Sequence, residues 1–135
     1  MLKGKMIHPE IMETLSLCGH GCKVLIADGN YPLKARTAGA RRVYLGLMPG
    51  LPTVTDVLKA LLSVQSFESA EVMLTEDGSD PEIFADFKEL LPDIELKKID
   101  KQAFYDACCA PMVELAISTG EQRTYANILL TVGCS

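Results

Sequence analysis

The run VLIAD, residues 24–28, restricts the fold more than any other part of the chain. Four consecutive apolar residues leave no polar face for solvent, so the segment reads as a strand covered on both sides, and it ends in a carboxylate. A sheet covered on both faces needs helices to cover it. The flanking sequence supplies them.

His8, Pro9 and Glu10 open a helix with proline in its first turn, and Ile11, Leu15 and Cys18 give it an apolar face, with Gly19 as its expected stop. RRVYLGL reads as a second strand. Thr53 followed by Asp56 has the form of a capping box in front of a helix that buries Val54, Val57, Leu58, Leu61 and Leu62. AEVMLTE is a strand, DPEIFADFKELLP a proline-bounded helix, IELKKI a strand and AFYDACC a short helix. MVELAIS and NILLTVG close the chain as strands. About six strands alternating with about four helices, with no repeat and no linker rich in Gly, Pro or Ser, predict one domain over residues 1–135. Its fold class is α/β: a three-layer α/β/α domain with a mostly parallel central sheet of about six strands, Rossmann-like in outline.

Composition narrows the function classes. Hydrophobic residues make up 48% of the chain and charged residues 23%, and no apolar run reaches the roughly 18 residues of a membrane span. The start, MLKGKMIHPEIMETL, turns polar too early for a secretory signal, so a cytoplasmic protein with no membrane partner is expected. A net charge of −5 opposes nucleic-acid binding, and the short basic cluster Lys34, Arg36, Arg41 and Arg42 reads as a solvated loop. Five cysteines, an odd number, predict free thiols.

The segment CGHGC, residues 18–22, raises three possibilities. A zinc site lacks a second ligand cluster, since Cys108 and Cys109 are adjacent and would diverge by about 100° on a helix. A redox pair normally has two intervening residues, and here there are three. The third is an accessible imidazole: His20 between two glycines, either an ordinary loop histidine or a general acid/base whose backbone a substrate can approach. Asp28 lies at a strand end, where ligands of open α/β sheets bind, although an aspartate there also serves as a loop cap.

GHG at 19–21, IAD with a following aromatic and proline at 26–32, and T-G-E-x-x-x-Y-A-N-I-L-L at 119–130 resemble the fucose mutarotase and ribose pyranase family, in register along nearly the whole chain. The resemblance implies an α/β fold, a site without cofactor or metal, and a ring-based homo-oligomer, commonly a decamer of two pentamers, in which neighbouring subunits complete one another's sites. It makes His20 the catalytic histidine and Asp28 the carboxylate that binds the sugar. Tyr125 and Asn127 become the Y-x-N pair on the sugar, with Ala126 offering backbone groups.

Lys101 falls where fucose members tend to have arginine and ribose members histidine, and Cys22 stands where an aspartate is usual. GHG and AFYDA look closer to the fucose branch. The expected function is therefore interconversion of monosaccharide anomers, L-fucose first and D-ribose pyranose/furanose exchange second. Sugar binding without turnover is an alternative of another class, and a metal or redox sensor on Cys18 and Cys22 a third. Read singly, Tyr125 is also compatible with a rim residue, Asn127 with a turn former and Lys101 with a solvated charge. Glu121 and Arg123 read as structural or surface groups.

Overall fold

The computed structural model describes all 135 residues, as ten elements in the expected order. They are α1 (Pro9–Leu17), β1 (Lys23–Ala27), β2 (Arg41–Tyr44), α2 (Val54–Leu62), β3 (Phe67–Met73), α3 (Ile83–Leu90), β4 (Leu96–Ile99), α4 (Lys101–Cys108), β5 (Val113–Ser118) and β6 (Ile128–Val132). The strands form one sheet in the order β2-β5-β1-β6-β3-β4. β1 is central, as its four-residue apolar run requires.

Val24 and Ile26 join a core that also holds apolar residues of α1, α2 and α3, whereas Leu25 and Ala27 join a smaller core under α4 and the 31–40 loop. All four side chains are fully buried, so both faces of β1 are covered by alternate residues. The layers differ in depth, 23 buried residues against 11, and the pocket described below opens at the edge of the thinner one.

β1, β2 and β5 run parallel to one another and β3 runs parallel to β4, but β6 is antiparallel to both β1 and β3. The reversal follows from the β5–β6 connection, which contains no helix to carry the chain back to the other end of the sheet.

Local rules explain most boundaries. The Thr53 hydroxyl accepts the Asp56 N–H at 3.1 Å while the Asp56 carboxylate accepts the Thr53 N–H at 2.9 Å, so the capping box forms as read from the sequence. α1 stops one residue sooner than expected, with Cys18 rather than Gly19 in the cap position. α4 begins two residues before AFYDACC because the Asp100 carboxylate caps it by accepting the Ala103 N–H. β2 ends at Tyr44, short of the LGL it was expected to include.

The basic cluster is mostly engaged within the chain. Arg41 reaches Glu13 of α1 at 2.7 Å, Arg42 ties down the 34–38 backbone, and the Arg36 guanidinium lies 4.8 Å from the centroid of the Tyr105 ring. No helix is long and apolar enough to cross a membrane.

Candidate functional site

Asp28 directly follows β1, and Asn127 directly precedes β6, the antiparallel neighbour of β1. The reversal of β6 therefore brings the start of one strand beside the end of the other. Asn127 Oδ1 accepts the Asp28 backbone N–H at 2.8 Å, and the Ala126 N–H donates to Asp28 Oδ2 at 3.3 Å. Asp28 Oδ1 accepts the Asn30 N–H at 2.9 Å, which closes an Asx turn. Asp28 is buried, and burial raises its carboxyl above the usual aspartate range while these hydrogen bonds work the other way.

Tyr125 has φ of +56°, a left-handed conformation uncommon for an aromatic residue. In that conformation it turns the chain so that Ala126 and Asn127 meet Asp28 while Tyr125 itself borders the adjacent space. Backbone held in this region often coincides with ligand sites.

That space is a cavity of about 180 Å³, whose walls include Asp28, Lys101, Tyr125 and Asn127. The remaining walls are largely apolar or aromatic: Met73 at the end of β3, Tyr31 after β1 and Tyr105 on α4. Lys101, the first residue of α4, is an exposed ammonium at the rim rather than a strand-end charge. The Tyr31 ring packs against Phe104 and Tyr105, and its hydroxyl donates to the Arg36 carbonyl at 3.1 Å. Met73 was not singled out from sequence, and Tyr31 and Tyr105 entered only within the IAD and AFYDA segments, without a role, because the three come from separate parts of the chain.

A larger cleft of about 430 Å³ lies beyond Asn30, between the ends of β1, β2 and β5. Its one titratable group is Glu121, whose carboxylate is already engaged by Arg123 at 2.9 Å and by the Gln122 N–H. Arg123 also reaches Asp86 at 2.8 Å, so Glu121 and Arg123 have the structural role expected of them. Gly120 is confined against the backbone of the 48–51 turn here: a Cβ would stand 2.9 Å from the Leu51 nitrogen. The smaller cavity is the one lined by Asp28, Lys101, Tyr125 and Asn127.

His20 is elsewhere. It lies in the turn before β1, and the five residues of that strand separate it from Asp28 by about 16 Å at 3.3 Å per residue. Its ring is more than half exposed, and Nε2 lies 2.9 and 3.1 Å from the two carboxylate oxygens of Glu68 on β3. One chain thus gathers Asp28, Lys101, Tyr125, Ala126 and Asn127 at one end of the sheet and leaves His20 at the other.

Cys18 and Cys22 flank the histidine turn, half-buried and packed against the larger core, as free thiols. Burial, followed by the neighbouring Cys22, pushes the Cys18 thiol up to about 11, the opposite of what a reactive thiolate requires. No group of three or more His, Cys, Asp or Glu side chains is placed to hold a metal ion.

Residues 1–135 match the RbsD / FucU transport protein family. A D-ribose pyranase of Variovorax paradoxus (strain S110) is 31% identical over 142 residues, covering 98% of this chain and 98% of its own. A D-ribose pyranase of Clostridium novyi (strain NT) is 30% identical over 133 residues at the same coverage. Among solved structures, Bacillus subtilis RbsD complexed with D-ribose superposes with a TM-score of 0.87 at 25% identity, covering 100% of this chain and 99% of that one. The fucose mutarotase of Streptococcus pneumoniae in complex with L-fucose has the same fold, with a TM-score of 0.81, 24% identity and coverage of 96% and 94%.

Proposed function

The chain belongs to the RbsD / FucU transport protein family, a family of sugar mutarotases and pyranases, and from that premise we propose that it is a cofactor-independent mutarotase that interconverts the anomers of a monosaccharide, L-fucose first among them. The observation that carries the reading is the cavity at the end of β1, whose walls include a buried carboxylate and three tyrosines. Sugars present hydroxyls on their edges and C–H groups on their faces, so a pocket that combines an accepting carboxylate with aromatic side chains suits them.

The reaction asks little of the protein. The anomeric hydroxyl loses a proton, the ring oxygen gains one, and the bond between the anomeric carbon and ring oxygen opens to give the free aldehyde. Rotation about the adjacent carbon–carbon bond and reclosure yield the other anomer. No carbon–hydrogen bond breaks and no electrons leave the sugar. Asp28 accepts hydroxyl hydrogen bonds, and the Lys101 ammonium and the Asn127 amide NH2, which makes no bond within the chain, donate to sugar oxygens. Tyr125 covers the ring. His20 moves the proton, for which imidazole is suited near neutral pH.

Because His20 lies at the far end of its own sheet, the reading requires the histidine to come from a second copy. The assembly we propose is a homodecamer of pentameric rings, in the cytoplasm. The exposed apolar residues Tyr44, Leu47, Met48 and Leu51 beside the larger cleft offer surface for such contacts.

D-ribose is the second reading, favoured by the naming of relatives at 30 and 31% identity as D-ribose pyranases. Saturation-transfer NMR on L-fucose and D-ribose, with chelator present, separates the two. Faster anomer exchange of L-fucose supports the first reading, and pyranose/furanose exchange of ribose alone supports the second. Sugar binding without exchange of either would leave a binding protein.

A further inference from the structure

We infer that Glu68 is a positioning residue for His20: it holds the imidazole in the tautomer with Nε2 protonated and so leaves Nδ1 as the base presented to a neighbouring copy. The inference rests on the proposed role of His20. Two backbone contacts build the arrangement. Gly21, at φ of +89°, donates its N–H to the Val132 carbonyl at 2.9 Å, which fixes the histidine turn to the end of β6. Gly133 donates its N–H to the Ser66 carbonyl at 3.0 Å, which fixes the same end of β6 to the start of β3.

The strand order β1-β6-β3 then places His20 and Glu68 on either side of β6, with Gly133 between them. Glycine leaves room for the pair to meet, since a Cβ at 133 would stand 3.2 Å from Glu68 Cβ. Nε2 lies within hydrogen-bond distance of both carboxylate oxygens, 2.9 and 3.1 Å.

An ionised carboxylate accepts and cannot donate, so the ring nitrogen facing it carries the hydrogen. In the neutral imidazole the other nitrogen then holds the lone pair. When Nδ1 takes a proton from the anomeric hydroxyl, the imidazolium forms beside a fixed negative charge, as in the carboxylate–histidine pairs of hydrolases. Glu71, three residues along β3, makes a similar contact to Lys23 at 3.2 Å, again across β6, and makes no hydrogen bond to His20. It serves as a control for losing a carboxylate on this strand.

The test uses the full-length protein with Glu68→Gln and Glu71→Gln, read by saturation-transfer NMR and by the nitrogen shifts of 15N-labelled histidine. Glutamine can either accept from or donate to Nε2, so it fills the same space without fixing the tautomer. Glu68→Gln is expected to lower kcat about tenfold, the size of one hydrogen bond to a charged group, with KM unchanged. Wild-type His20 should show the Nε2–H tautomer, the Glu68 variant a mixture of tautomers, and Glu71→Gln a kcat within about twofold of wild type. A Glu68→Gln protein with wild-type kcat, a wild-type ring with no tautomer preference, or an equal loss in Glu71→Gln overturns the inference. The ring signals are read whether or not sugar exchanges: an Nε2–H tautomer in a protein that exchanges no sugar sinks the mutarotase reading, whereas exchange with an unfixed tautomer sinks the role of Glu68.

Discussion

The two ends of β1 are built differently. At its carboxyl end Asp28 is buried and held by Asn30, Ala126 and Asn127, and the neighbouring cavity has tyrosine walls. At its amino end His20 stands in solvent on a glycine-flanked turn, with Glu68 as its polar partner. The first end is organised for binding within one chain. In the proposed mechanism the second carries the proton-transfer group, which has no substrate cavity of its own chain beside it. A strand five residues long cannot bring them together, so the proposed chemistry calls for two copies.

The largest expected effect breaks the exposed end. His20→Ala should slow anomer exchange by roughly 100- to 10,000-fold, the range for losing a general acid or base. Thermal unfolding should be unchanged, because the ring packs against little. A His20→Ala protein exchanging at the wild-type rate would falsify the assignment.

Breaking the buried end should affect binding instead. Asp28→Asn should raise KM about tenfold or more, because a carboxylate accepts hydroxyl hydrogen bonds more strongly than an amide. The same carboxylate gives a pH signature. Burial raises its pKa in the folded protein, so it takes up a proton at a pH where an exposed aspartate is still ionised. KM should therefore climb as pH falls through a value above about 4, the ordinary aspartate pKa. Asp28→Asn should flatten that limb, and an unchanged limb would assign it to another group.

Asn127→Ala sharpens the contrast further, since it strands the Asp28 N–H. Calorimetry should show a loss of about 1–3 kcal/mol, the cost of an unsatisfied buried donor, together with a raised KM. The smallest effects belong to the cysteines. Cys18→Ser and Cys22→Ser should change exchange by less than about twofold, in keeping with a Cys18 thiol that burial keeps protonated. Inactivity of Cys22→Ser equal to that of the histidine variant would revive a sulfur-based mechanism.

How far the sequence disclosed this arrangement varied with the range of the interaction. The Thr53–Asp56 capping box and the doubly buried β1 were legible because their causes lie within a few residues. The direction of β6 was not, since NILLTVG looks alike whichever way it runs. The signal that bears on it is the connection TGEQRTYAN, which carries no helix for a parallel return. That reversal is what brings Ala126 and Asn127 to Asp28. The residues proposed to hold the sugar were named from resemblance, but their geometry depends on Tyr125 adopting positive φ, which tyrosine does not advertise. Glu68 had no sequence signal at all: it meets His20 across 48 residues and a strand that comes last in the chain. Cys22 stands where the resembled family usually has an aspartate, and the carboxylate that meets the histidine in this chain is Glu68 of β3.

Complementation tests the proposed sharing of the site most directly. Neither His20→Ala nor Asp28→Ala alone should turn over sugar efficiently, but a co-expressed, co-purified mixture contains interfaces where an intact Asp28 cavity meets an intact His20. Random assembly of equal amounts makes about a quarter of the sites wild type in a cyclic homo-oligomer. Saturation-transfer NMR of the mixed assembly should therefore recover roughly a quarter of wild-type exchange. Exchange no greater than the sum of the two separate variants would contradict the account.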